Sequence, residues 1–204
     1  IGMMNVNTLM PIIDELIEIY KNEKIFKFLH LPVQSGSNEI LEKMNRQYTT
    51  EDFAHAIEKF KLKFPELTLS TDVIAGFPGE SVHDFAQTVA LLKKTKPDIV
   101  NVKGFSPRYG TSAWHMKNRL NSKIIKLRTK ELAELKDKIS ADNLKRYVGN
   151  NEEVLVAELG KNNTVVGRTL SYKPVVIDRK IQLGSFVNVK ITDAKSCYLK
   201  GVLV

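Results

Sequence analysis

Cysteine is almost absent from this chain: Cys197 stands alone among 204 residues. A lone thiol excludes an internal disulfide framework and any metal site built wholly from this chain's cysteines. Its expected place is a small buried position near the C-terminal end. Long apolar runs are lacking too, so no transmembrane helix is expected. The opening residues, IGMMNVNTL, hold neither an initiator methionine nor the basic segment of a secretory signal. They read as an apolar strand, and the expectation is a piece of a longer protein. The P-loop pattern, GxxxxGK followed by Ser or Thr, does not occur, which argues against a nucleotide cradle of that type.

What is present is an ordinary globular composition, 43% hydrophobic and 26% charged, with a formal net charge of +8. That charge is unevenly spread. Residues 1–102 carry 11 Lys/Arg against 14 Asp/Glu, and residues 103–204 carry 20 against 9. Such asymmetry suits a C-terminal half that faces a polyanion, or else a solvated Lys-rich surface.

Four apolar, β-branched segments mark the first half: IGMMNV, IFKFLHLPV, LTLSTDVIAG and IVNVKGF. Helical patterns separate them. Ile12, Ile13, Leu16, Ile17 and Tyr20 share a face. Ser37 caps a helix with Ile40, Leu41 and Met44 inward. Thr49 with Asp52 and Ser81 with Asp84 form capping boxes for two more. This alternation predicts a parallel sheet with right-handed crossovers and ligands at the C-terminal strand ends. There fall three polar turns: HLPVQSGS, AGFPGES and GFSPRYGT. In STDVIAGFPGES, Gly76 and Gly79 open the backbone to close approach. The next helix start offers free N–H groups, but Glu80 stands beside them without an adjacent lysine. The set suits a ligand with hydroxyls, an ammonium group and a planar base. Turn formation alone is the alternative reading of each segment.

After Thr111 the pattern changes. One long basic helix is predicted, with Ile125, Leu132, Leu135 and Ile139 as its stripe. Five short alternating segments follow within the last part of the chain and suggest a small closed OB-like barrel. Arg168, Tyr172, Lys173, Lys190, Tyr198 and Lys200 are the candidates there for single-stranded nucleic acid, with core tyrosines and solvated lysines as the alternative.

The segments HLPVQSGSNEILEKMNRQYT, STDVIAGFPGES and FSPRYGTSA resemble, in order, motifs of the radical S-adenosylmethionine methylthiotransferases. The tail, VGRTLSYKPVVI to LKGVLV, resembles the TRAM domain that ends those proteins. The resemblance is greatest to the archaeal and eukaryotic branch that modifies threonylcarbamoyl-adenosine beside the tRNA anticodon. It implies an α/β fold: a partial, four-stranded parallel radical-SAM-type βα barrel over residues 1–121, a connecting helix over 122–147, and a TRAM barrel over 148–204. By the same resemblance, S-adenosylmethionine contacts fall on Gln34, Ser35, Gly36, Arg46, Asp72, Gly76, Gly79, Glu80, Ser106 and Arg108. The two 4Fe-4S clusters of such proteins would be held by cysteines upstream of Ile1. No catalytic residue and no metal ligand is therefore expected here, and a structural role is expected for His30.

The resemblance further implies tRNA as partner, a cytoplasmic location, and no activity from this chain alone. The missing strand partners lead to an expectation of self-association, with Val33, Val73, Ile74 and Val102 left near water. A ribosomal-protein methylthiotransferase, a non-catalytic RNA-binding module and an unrelated barrel lyase remain as alternatives.

Overall fold

A computed structural model describes all residues, 1–204. The first half is a βα assembly. Helices α1 (Val6–Leu9) and α2 (Ile13–Tyr20) precede strand β1 (Phe28–His30). Helices α3 (Asn38–Lys43) and α4 (Thr50–Lys63) lead to β2 (Thr68–Ala75), and α5 (Val82–Thr95) leads to β3 (Ile99–Gly104). The three strands pair in parallel in the order β1-β2-β3. Both predicted capping boxes form, Thr49 with Asp52 and Ser81 with Asp84. Each satisfies two amides that the first helical turn leaves unpaired, and removing a cap of this kind costs about 1 kcal/mol.

Two expectations are corrected here. The segment Ile1–Asn5 is not a strand; it reaches the sheet through one backbone bond, Met4 N to His30 O, before α1 begins. The parallel sheet thus has three strands and not four. Of the apolar residues expected near water, Val33 and Val73 are fully buried, and Ile74 and Val102 are half-buried. Alternation turns the first pair outward into the helices, where Leu31, Leu69, Phe53 and Phe60 complete the core.

A short helix α6 (Ser112–His115) follows, and then the long helix α7 (Ser122–Lys145). At 1.5 Å per residue α7 is about 36 Å long. It serves both halves: Leu132 and Ile139 pack into the βα core, and Leu144, with Tyr147 just beyond the helix, packs into the second core. Strands β4 (Asn151–Leu159), β5 (Val165–Thr169), β6 (Pro174–Ile177), β7 (Phe186–Ala194) and β8 (Leu199–Leu203) close a barrel in the order β4-β5-β6-β8-β7. Closure leaves no free strand edge. Cys197 lies exposed in the turn between β7 and β8, not buried as expected. No helix is long and apolar enough to cross a membrane.

Candidate cosubstrate cleft and nucleic-acid interface

The C-terminal edge of the parallel sheet opens into a cleft of about 880 Å³. Parallel strands deliver every second side chain to this face. One rung crosses all three strands: His30 Nε2 lies 3.1 Å from Asp72 Oδ1, and Asn101 Nδ2 donates to that same oxygen at 2.7 Å. Asp72 and Asn101 are register partners on β2 and β3.

Beyond β1, Gln34 resumes the pairing. Its amide donates to Asp72 O, and its carbonyl accepts from Ile74 N, both at 2.9 Å. Its φ of 69° is left-handed, an unusual state for a residue with a side chain, held here by those two bonds. Arg46 closes the side; its Nε is buried with no hydrogen-bond partner. Ser106, Arg108, Thr111 and Ala113 form the far rim.

Five of the ten residues expected to hold the cosubstrate therefore line one cleft: Gln34, Arg46, Asp72, Ser106 and Arg108. The other five lie behind it and have structural partners. Ser35 is fully buried. The Gly36 amide bonds Thr88 Oγ1, and a Cβ there would stand 2.4 Å from Thr88 Cα. Gly76 and Gly79 both have φ of +81°, and a Cβ on Gly76 would stand 2.5 Å from Ile125 Cγ1 of α7. The bare backbone of this turn thus admits a helix. Glu80 is 4% exposed and committed to Arg128 of α7 and to the Gly76 amide. Burial pushes its carboxyl up from the ordinary range, against the pull of Arg128 and that amide.

Lys103 and Asn101, which were not expected there, also line the cleft, as does His30, whose bond to Asp72 is compatible with the structural role expected of it. Period-two alternation from Asp72 across the sheet marks this face.

The six residues expected to meet RNA divide in the same way. Lys173 is 3% exposed and donates to Thr68 Oγ1 at 2.7 Å and to Asp98 Oδ1 at 3.1 Å, so it is an internal cation and does not face a phosphate. Tyr172 packs on Phe26 and Phe28 with centroids at 5.0 and 5.1 Å. Arg168 stacks over Tyr172 and pairs with Glu158 at 2.8 Å. Lys173 and Tyr172 dock the barrel against the N-terminal end of the sheet, and Arg168 braces Tyr172 from the barrel side. Lys190 and Lys200 stay exposed on the outer face of β7 and β8, and Tyr198 is half-buried in the turn between them.

Comparison with known families agrees with this architecture. The Radical SAM superfamily model matches residues 2–92, and the TRAM domain model matches residues 145–204. Coproporphyrinogen III oxidase from Escherichia coli, a radical SAM enzyme, superposes with a TM-score of 0.54 over 92% of this chain and 45% of its own, at 12% identity, a likeness of fold alone. Residues 2–92 are thus similar to the radical SAM superfamily, and residues 145–204 to the TRAM domain.

Its relatives by sequence are tRNA methylthiotransferases. The probable threonylcarbamoyladenosine tRNA methylthiotransferase of Pyrococcus horikoshii is 43% identical over 204 residues, all of this chain and 48% of that protein. Its counterpart in Archaeoglobus fulgidus is 44% identical over 203 residues, 47% of that protein. The tRNA-2-methylthio-N(6)-dimethylallyladenosine synthase of Carboxydothermus hydrogenoformans is 41% identical over 197 residues, 44% of that protein. The chain thus spans about half the length of the curated relatives it matches.

Proposed function

We propose that this chain is the cosubstrate-binding and RNA-binding part of a tRNA methylthiotransferase acting on threonylcarbamoyl-adenosine beside the anticodon, in the cytoplasm. The observation that carries the reading is the cleft itself. Its polar groups match S-adenosylmethionine: Asp72 to accept from an ammonium or hydroxyl, Gln34 and Ser106 for further polar atoms, and Arg46 with an unpartnered buried nitrogen to donate to a carboxylate. Ser35, Gly36, Gly76, Gly79 and Glu80 belong to the proposal as the shell that fixes the cleft wall. Bound there, S-adenosylmethionine would supply radical chemistry, and these residues would bind and orient it. An iron–sulfur cluster does not fit the residues of this chain. No group of three or more candidate ligands occurs, and Cys197 stands alone.

Isothermal titration of S-adenosylmethionine into this chain tests the reading. Binding is expected, and Arg46→Met should weaken it roughly tenfold to a hundredfold, the loss of one charge-assisted hydrogen bond. Undetectable binding, or an Arg46→Met variant with full affinity, would sink the assignment.

RNA binding belongs to the same reading. Lys190→Glu with Lys200→Glu should weaken a single-stranded RNA equally across sequences. The log–log salt slope should then become shallower by about 0.7 for each phosphate that is no longer neutralised. An unchanged slope would remove the outer face of β7 and β8 from the interface. A second copy of the chain is the weaker candidate for partner, because the open trough is walled mostly by polar side chains, His30, Asp72, Asn101 and Lys103 among them, with Val73, Ile74, Phe105 and Ala113 as the apolar minority.

A further inference from the structure

The loop between β3 and α7 carries features that neither the cosubstrate cleft nor the barrel absorbs. Tyr109 is 88% exposed at its tip, and Trp114, on α6, is 38% exposed. Two exposed rings side by side form a patch, unlike a ring exposed singly. The two meet edge to face, with centroids 5.7 Å apart at 73°. Arg119 caps the pair: its guanidinium lies 5.3 Å from the Trp114 centroid and donates to Trp114 O.

The loop is built to hold this arrangement. Gly110 takes a φ of 79° to make the turn, and Thr111 Oγ1 donates to Arg108 O at 2.7 Å. Asn118 O accepts the Gly79 amide at 2.7 Å, which ties the loop to the β2–α5 turn. At its root Phe105 packs on Phe77 with centroids at 5.2 Å.

Charge and position narrow the ligand. From Ile99 to Lys130 the chain holds eight Lys/Arg and no Asp or Glu. Arg108, Thr111 and Ala113 of this loop line the cleft rim, so the rings stand beside the cleft mouth. Exposed aromatic faces beside a guanidinium in an acid-free stretch are how proteins hold unpaired bases on a charged backbone.

We propose that Tyr109, Trp114 and Arg119 form a stacking platform for an unpaired RNA base next to the nucleotide presented to the cleft. The inference rests on the RNA-binding reading above and adds the place where a base is held. Phosphates flanking that base would meet Arg108 and Lys117, both exposed.

Trp114 is the only tryptophan, so its emission reports on this loop alone. The test titrates the chain with an end-labelled oligoadenylate of about ten nucleotides, within the span of one OB-type barrel, following anisotropy and tryptophan emission together. Saturable quenching of Trp114 is expected, with the same midpoint as the anisotropy. Tyr109→Ala should weaken binding about tenfold, the value of one base stack, and Tyr109→Phe should not. An abasic ribose-phosphate oligomer of equal length should bind without quenching. Tyr109 is too exposed for its replacement to unfold the chain. Undiminished affinity in Tyr109→Ala with unchanged emission would overturn the platform while leaving RNA binding intact. No anisotropy change with the native chain would overturn both.

Discussion

Lys173→Met is expected to destabilise the protein by about 3–5 kcal/mol, the usual result of stranding one half of a buried ion pair. Its partner Asp98 is bound from three sides. Oδ1 accepts from Lys173 at 3.1 Å and from Asn143 of α7 at 3.2 Å, and Oδ2 accepts from the Leu69 amide at 2.9 Å. The lysine ammonium also lies 5.3 Å from the Tyr147 ring centroid. One lysine of the barrel thus ties β2, the loop before β3 and the end of α7 together. Without it, the Asp98 carboxylate stays in a site 11% exposed with two neutral donors. Urea unfolding, followed by circular dichroism, measures the loss. If the ammonium instead served to bind phosphate, the variant would unfold like the native chain and bind RNA less well.

The second large effect is expected at the pair of Glu80 and Arg128. Side-chain exposure there is 1% and 10%, and Arg128 additionally donates to Glu80 O and stacks 5.1 Å from the Phe85 centroid. Arg128→Met leaves the carboxylate with only the Gly76 amide, and a loss of about 3–5 kcal/mol is expected. The pH dependence gives a second readout. Burial already holds this carboxyl above the ordinary value, and removing the cation raises it further. A carboxyl with a raised folded-state pKa contributes stability that is fully present below its unfolded value of about 4.3 and lost as pH rises through the folded one. The variant should therefore be least impaired near the acid end and most impaired at neutral pH. Glu80→Gln in the same chain should recover most of the loss and flatten the pH profile. A variant as stable as the native chain at neutral pH would mean that Glu80 is free for a ligand after all.

The sequence by itself determined the elements. Ser37, Thr49 with Asp52, and Ser81 with Asp84 set three helix starts, because a cap is a local bond between residues three apart. Apolar, β-branched segments marked the three strands of the first half and alternation the five of the barrel, which sorted βα units from a closed barrel. The charge imbalance fell on the half that carries the exposed Lys190 and Lys200. Arg46, Asp72 and Arg108 are assigned by resemblance to the methylthiotransferase motifs, and all three line the cleft.

Only the tertiary structure decided which polar groups are free. Glu80 and Lys173 look alike to the sequence as charges in glycine-rich or β-rich surroundings. Their partners stand 48 and 75 residues away, Arg128 and Asp98, and burial converts both from surface charges into structural ties. Gly36 and Gly76 read as ligand-approach glycines, yet the bodies that approach are Thr88 and Ile125. Ile1–Asn5 has the residues of a strand and lacks the ladder, since a strand is a property of two segments and its pairing energy cannot be read from one. Tyr109 and Trp114 are unremarkable in sequence; the loop that leaves both exposed at the cleft rim is set by bonds from Thr111 to Arg108 and from Gly79 to Asn118.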